Sequence, residues 1–392
     1  METPGKSRRR PVLRPGDLAA IAVAPGPIWP DLLRLVWDAG AAVLPVDHRL
    51  PPAAVQRLLA LARPAAIFDG SWWPRSESSP AGEDAAVAVA TGGTTGGMSR
   101  NPRVAVLTHD AVRAAVTASV ARLGAEPADR WLACLPFGHI GGLLVALRAV
   151  LLDAPVTIHA AFDPPAVAAT DATFTSLVPA MLARLLDADA DLAHFKGILI
   201  GGQALPQPLR DRAREAGAPI VETYGQTESC GGVVYDGVPL DGTRMRLTGD
   251  GMLELAGPTI MRGYLPGGEQ PFTADGWLRT GDQAVIEDGR LIRAERAGDV
   301  IVSGGEKIFP AQVEDILLRH PGIADVAVAA RPDERFGSKA VAFVVGDGDA
   351  PTLDEIREFV AAHLPRYAAP RQVVAVPRIP RTPGGKIRRH LL

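Results

Sequence analysis

The sequence predicts an α/β fold: a large N-terminal domain of layered sheets with flanking helices plus a β-rich subdomain, and a small α+β C-terminal domain. Three observations predict it. Short continuous apolar runs alternate with helix-period segments as far as residue 222, the order of a largely parallel sheet. From residue 244 short strands broken by glycines take over, and from residue 310 the order becomes helix, strand, strand, helix, strand.

Residues 18–23 and 41–46 read as buried strands around a helical 32–37, opening a βαβ unit. A helix over 51–61, a strand over 65–68 and a polar, proline-containing loop over 71–83 follow. Alternating alanine and valine at 86–90 make a buried strand that runs into Thr91-Gly92-Gly93-Thr94-Thr95-Gly96-Gly97. Glycines permit close backbone approach, so successive N–H groups and the threonine hydroxyls can converge on phosphate oxygens; a plain surface turn is the alternative reading. A strand at 104–107 and a helix at 110–123, capped by Thr108 or His109, flank this loop.

Strands at 131–136, 155–159, 174–177, 197–200 and 220–222 are separated by helices at 141–152, from 163, at 180–186 and at 207–215. The β-rich part has strands at 244–248, 252–256 and 284–286. The last module has helices at 310–319 and 352–364 and strands at 324–330, 339–345 and 373–376. The boundary is placed at Ala297-Gly298-Asp299, giving domains 1–297 and 298–392, because a glycine between two larger units absorbs backbone rotation.

Composition excludes several classes. A chain of 392 residues with 47% apolar and 22% charged residues is that of a folded enzyme-sized protein. Its charge of −3 is spread without a long single-sign block, so no nucleic-acid groove or polybasic anchor is expected, and Arg8-Arg9-Arg10 reads as a solvated tail. The longest apolar run, 141–152, is interrupted by Arg148 and too short to span a membrane. Two cysteines, Cys134 and Cys230, without metal-ligand spacing, fit a reducing compartment; a cytoplasmic location without an export signal is expected.

Four further polar clusters join the glycine-rich loop: Gly201-Gly202-Gln203, Tyr224 to Glu228, Thr280-Gly281-Asp282, and Pro380 to Lys386. In this order and spacing they closely resemble the adenylate-forming superfamily of acyl-CoA synthetases, peptide-synthetase adenylation domains and luciferases, over nearly the whole chain from Gly40 onward. Activating a carboxylate on ATP brings two anions together and expels pyrophosphate, which calls for donors, a cation and exclusion of water.

The resemblance implies ATP, Mg²⁺ and coenzyme A as cofactors, with a small carboxylic acid as substrate and a homodimer as one assembly. It implies that Thr91, Gly92, Gly93, Thr94, Thr95 and Gly96 hold the β- and γ-phosphates, that Thr227 meets the α-phosphate and that Glu228 positions Mg²⁺. Gly201, Gly202, Gln203 and Tyr224 would flank adenine, Asp282 would accept from the ribose hydroxyls, and Arg296 would stand nearby. Structurally, Glu228 also fits a helix N-terminal charge and Asp282 a turn. Lys386 matches the C-terminal catalytic lysine that bridges the carboxylate and the α-phosphate. Residues 303–307, Gly305 and Lys307 among them, would line the pantetheine path, with Lys307 at the CoA phosphates.

Two departures stand out. The hinge position, commonly Asp or Lys, is Gly298, and Met98-Ser99-Arg100 replaces the usual Pro-Lys-Gly after the loop, leaving Arg100 or Arg103 to neutralise phosphate.

The segment from Leu135 to Leu143 with Arg148, and that from Tyr224 to Gly237, resemble the pocket of o-succinylbenzoate-CoA ligases of menaquinone biosynthesis. His139 would sit where carboxylate, thiol and aromatic ring meet, and Arg148 is a candidate for a second carboxylate. Alternatives are an aryl or short-chain ligase, one loading a carrier protein, and a catalytically impaired nucleotide-binding relative. A P-loop phosphohydrolase is disfavoured because Gly-Lys-Ser/Thr is missing.

Overall fold

The computed structural model describes residues 12–91, 103–346, 351–382 and 385–392. Two seven-stranded sheets form the large N-terminal domain. In the first, Leu18–Ile21, Ala42–Pro45, Ala66–Phe68 and Ala85–Thr91 run parallel. Antiparallel Arg103–Thr108 and Gly263–Leu265 extend one edge, and Trp72–Pro74 ends the other. In the second, five strands from Trp131–Ala133 to Ile220–Gln226 run parallel, and an antiparallel return begins at Gly231–Tyr235.

Why continuous apolar runs form these strands is visible in their two faces. Ala19, Ile21, Val43, Val87 and Val89 face a core shared with the second sheet, while Leu18, Ala20, Ala42, Leu44 and Ala88 face a separate core under the helix Pro52–Ala62. Successive side chains point to opposite faces, and both faces are covered. The helices Trp29–Asp38, His109–Leu123 and Ile140–Leu152 fill the space between the sheets, with Trp131 stacked on Phe174 at 4.8 Å and Trp29 edge-on to Phe137 at 5.0 Å. Thr108, rather than His109, caps its helix by accepting from Ala111 N.

A four-stranded antiparallel sheet follows, with Arg244–Leu247, Met252–Ala256, Leu278–Glu287 and Arg290–Arg296 in that order. In the small C-terminal domain the helices Pro310–Leu317 and Leu353–Ala361 accompany a sheet of Ile323–Asp333, Gly337–Gly346 and Gln372–Ala375. Its core clusters draw only on residues from 301 onward.

Several strands lie outside the expected set: Gly231–Tyr235, Val238–Pro239, Arg290–Arg296, the short pair Ile301–Ser303 and Glu306–Ile308, and two at the edges of the first sheet. Trp72–Pro74 lies in the expected 71–83 loop, and Gly263–Leu265 reaches the first sheet from far along the chain. The strand expected at 220–222 continues to Gln226, because its polar end pairs with the glycine-rich return strand.

Candidate active site

The nucleotide side is built where the second sheet meets the four-stranded one. Within the second sheet Gly225 lets Ile220–Gln226 pair closely with Gly231–Tyr235: a Cβ there would lie 1.9 Å from the Gly231 carbonyl oxygen. Tyr224, next to it, reaches the four-stranded sheet, where its Oη donates to Asp282 Oδ2 at 2.7 Å. Burial, and then the Asp282 charge, hold the Tyr224 phenol well above its ordinary pKa.

Asp282 pairs directly with Arg296 across the strands, which sets Arg296 Nε 3.3 Å from Asp282 Oδ1. Arg296 also donates to the Thr280 carbonyl at 2.7 Å and to Gln226 Oε1 at 3.4 Å. Gly201 follows the strand Gly197–Ile200 and packs against Thr223, whose Oγ1 would be 2.5 Å from a Cβ at 201. Gly202 adopts φ +83°.

Thr227 opens a single 3-10 turn, Thr227–Ser229, that presents Glu228. Tyr264 Oη donates to Glu228 Oε1 at 2.6 Å, and Met261 N donates to the Glu228 carbonyl at 2.9 Å. The Arg103 guanidinium lies over the Tyr264 ring, 4.4 Å from its centroid. Thr91 Oγ1 donates to the Arg103 carbonyl at 3.3 Å; Gly92, Gly93, Thr94, Thr95 and Gly96 lie outside the described residues.

Among the described residues no group of three or more His, Cys, Asp or Glu side chains gathers to hold a metal. One oriented carboxylate, with phosphate and water completing the shell, is a donor set that suits Mg²⁺.

Lys386 comes to this place from the small domain. Its hairpin is fixed by Thr382 N donating to the Lys386 carbonyl at 2.8 Å, Lys386 N to Thr382 Oγ1 at 3.1 Å, and the Arg381–Asp325 pair at 2.6 Å. Gly385 turns at φ +84°, and a Cβ on it would lie 2.9 Å from Ala180 Cβ and 3.3 Å from Gln203 Nε2. Burial, then the neighbouring Arg296, lower the pKa of the Lys386 ammonium, against the pull of Asp299 and Asp282. Gln203, Tyr224, Asp282, Arg296 and Lys386 thus converge.

Lys307 does not. It lies on the hairpin Ile301–Ser303 to Glu306–Ile308 with Gly305 at φ +89°, and its Nζ donates to the Asp250 carbonyl.

On the acyl side, His139 precedes the helix Ile140–Leu152 with an exposed ring, its Nε2 3.8 Å from Asp47 Oδ2. Asp47 is gripped by Arg49 at 2.9 and 2.6 Å. Burial pushes the Asp47 carboxyl up, but Arg49 outweighs it and holds the pKa below its ordinary value. Gly138 is required for this approach, since a Cβ there would meet Asp47 Cβ at 2.6 Å.

Arg148 is buried, donates to Ser119 Oγ at 2.8 Å and lies over Trp131 at 4.5 Å. Its Nε has no partner, and it forms no ion pair among the described residues. Both cysteines are buried and free, with burial pushing Cys134 up to about 11 and Cys230 to about 12.

Sequence reasoning overlooked Tyr264 and Asp47. Asp47 had a signal: it follows the C-terminal end of a buried parallel strand, where open α/β sheets place ligands. Tyr264 had none, because only the long-range pairing of Gly263–Leu265 brings it to Glu228.

A two-domain enzyme that activates a carboxylate with ATP and releases AMP is the class that this fold and site define. The family model described as AMP-binding enzyme matches residues 69–265, and that of the AMP-binding enzyme C-terminal domain matches residues 312–386; the chain belongs to the AMP-binding enzyme family.

It is similar, at 40% identity over 328 residues, to a probable 2-succinylbenzoate–CoA ligase of Mycobacterium tuberculosis, covering 79% of this chain and 84% of that protein. The 2-succinylbenzoate–CoA ligase of Listeria monocytogenes is 32% identical over 331 residues, covering 79% and 69%. The o-succinylbenzoate coenzyme A synthetase of Bacillus subtilis, solved with ATP and magnesium ion, superposes with a TM-score of 0.81 at 26% identity over 97% of this chain and 90% of that one. The same synthetase bound to its acyl-adenylate intermediate gives 0.81 at 25% identity, over 96% and 88%.

Proposed function

We propose that this chain joins 2-succinylbenzoate to coenzyme A through an acyl-adenylate, with release of pyrophosphate and then AMP. The observation that carries the reading is the meeting of Lys386 with the Asp282–Arg296 pair beside Tyr224 and Gln203. The 2-succinylbenzoate ligases among its relatives support the choice of acid.

In the first step a carboxylate oxygen attacks the α-phosphorus and pyrophosphate leaves with the bonding electron pair. Asp282 accepts from the ribose, Tyr224 and residues 201–203 flank the adenine, and Thr227 meets the α-phosphate. The Lys386 ammonium bridges the two reacting anions, lowering the barrier chiefly by fixed charge and orientation. Glu228 would hold a magnesium ion, which would supply positive charge to the departing pyrophosphate. In the second step the thiol sulfur adds to the acyl carbon, loses its proton and displaces AMP. His139, braced by Asp47, stands at that junction.

The small domain, taken as residues 298–392, leaves its Lys386 contacts for this step, and that move frees Lys307 from the Asp250 carbonyl for the CoA phosphates. Arg148 serves the second carboxylate: a buried guanidinium without a carboxylate partner is costly unless an anion arrives. The inert, buried thiols support a reducing, cytoplasmic setting, and among the described residues no helix is long and apolar enough to cross a membrane.

Pyrophosphate release with ATP, Mg²⁺ and CoA, measured across 2-succinylbenzoate, benzoate and short-chain acids, tests the reading. Turnover is expected with 2-succinylbenzoate, and an inert 2-succinylbenzoate beside a reactive alternative overturns it.

A further inference from the structure

The strand Arg290–Arg296 ends the large domain, and its alternation sends neighbouring side chains to different tasks. Arg296 turns to Asp282 and the nucleotide side. Arg293 and Glu295 turn to the small-domain helix Pro310–Leu317, where Arg293 donates to Gln312 Oε1 and Glu295 Oε2 accepts from Ala311 N at 3.3 Å.

Behind Ala311 on the same helix, buried Glu314 takes two hydrogen bonds from Arg389 Nη2, at 2.8 and 2.9 Å, and one from Val328 N at 2.7 Å. Arg389 stands three residues beyond Lys386, so this pair anchors one end of the segment that carries the lysine.

Glu295 therefore meets the helix that anchors Lys386, and among the described residues the charged groups that bear most on it are Glu314 from the helix, Arg389 from the C-terminal turn and Arg293 on its own strand. The residue directly across the strand pair is neutral Gln283, whose buried Oε1 has no hydrogen-bond partner. A proton on Glu295 would give that face a donor.

Resting on the ligase reading, we propose that Glu295 is a positioning residue for the adenylation step, taking up a proton when the small domain docks and so linking the approach of Lys386 to pH. Burial, and then the Glu314 charge, outweigh Ala311 N, Arg389 and Arg293 and raise the Glu295 carboxyl to about 7 in the docked arrangement. With the small domain away it is an ordinary carboxyl. Docking thus takes up a proton between the ordinary carboxylate range and about pH 7. Across that window the docked population falls by up to about tenfold per pH unit, and above it the loss is complete and constant.

The test labels exposed positions through Arg57→Cys and Leu353→Cys, the native thiols being buried, and follows energy transfer between the two domains from pH 5 to 9. The docked signal is expected to fall from pH 5 to about 7 and then level off, whereas Glu295→Gln and Glu295→Ala give flat profiles. Single-turnover thioester formation from supplied acyl-adenylate is expected to be slower in Glu295→Gln than in the unmodified protein at pH 7.5, and equal to it at pH 5. Superimposable titrations of the unmodified protein and Glu295→Gln overturn the proposal. Energy transfer needs no acid, so that outcome counts against Glu295 alone, whereas absence of acid-dependent pyrophosphate release counts against the ligase reading.

Discussion

Replacing Lys386 by alanine separates the two half-reactions. The ammonium is half-buried beside Asp282, Asp299 and Arg296, so its charge acts in a medium where an ion at about 4 Å interacts by roughly 4 kcal/mol. The part felt only in the transition state is comparable to that of one oxyanion-stabilising donor, ~2.7–4 kcal/mol, or about 10²–10³ in rate.

The hairpin survives the change, because its bonds use the Lys386 backbone, Thr382 and the Arg381–Asp325 pair. Single-turnover formation of acyl-adenylate, quenched and quantified by chromatography, should fall by that factor. Thioester formation from supplied acyl-adenylate should stay within about threefold, the rate factor of a change of roughly 0.65 kcal/mol. Because burial lowers the Lys386 pKa, the alkaline limb of adenylation should lie below that of a free lysine and vanish in the alanine variant. Equal losses in both half-reactions would show that Lys386 is not specific to adenylation.

Tyr264→Phe removes the 2.6 Å donor to Glu228 and should weaken MgATP binding by ~1.5–3 kcal/mol, with magnesium-free ATP little affected, as read by titration calorimetry. Gly138→Ala forces a Cβ against Asp47 and should cost ~1–3 kcal/mol in denaturant unfolding. Arg148→Met should raise KM for 2-succinylbenzoate while leaving KM for benzoate unchanged, since only the former carries a second carboxylate; a parallel rise in both would make Arg148 a packing residue. Cys134 and Cys230 should react with a thiol reagent only on unfolding, which timed labelling under native conditions checks.

The layered fold was legible because both faces of its parallel strands are buried, so runs such as 18–21 and 42–45 are apolar throughout. Trp72–Pro74 and Gly263–Leu265 were not, being three-residue edge strands whose partners, rather than their own pattern, define them. At the site, Tyr224, Asp282, Arg296 and Lys386 could be named from motif order. Their convergence could not, because it depends on the Asp282–Arg296 register and on how the small domain sits. Lys307, expected at CoA, is bonded to Asp250, a contact between segments far apart in sequence. Glu295 gave no sign of a role, since a glutamate beside an arginine near a chain linker is ordinary until burial beside Glu314 changes its chemistry.

Making an acyl-adenylate is the act that defines this site. The most direct measurement mixes enzyme, ATP, Mg²⁺ and 2-succinylbenzoate without CoA, quenches within one turnover and weighs the products by mass spectrometry. 2-Succinylbenzoyl-AMP and pyrophosphate are expected in equal amounts, with the adenylate consumed to thioester and AMP when CoA is added. ADP and phosphate, or ATP bound but unchanged, would contradict this assignment.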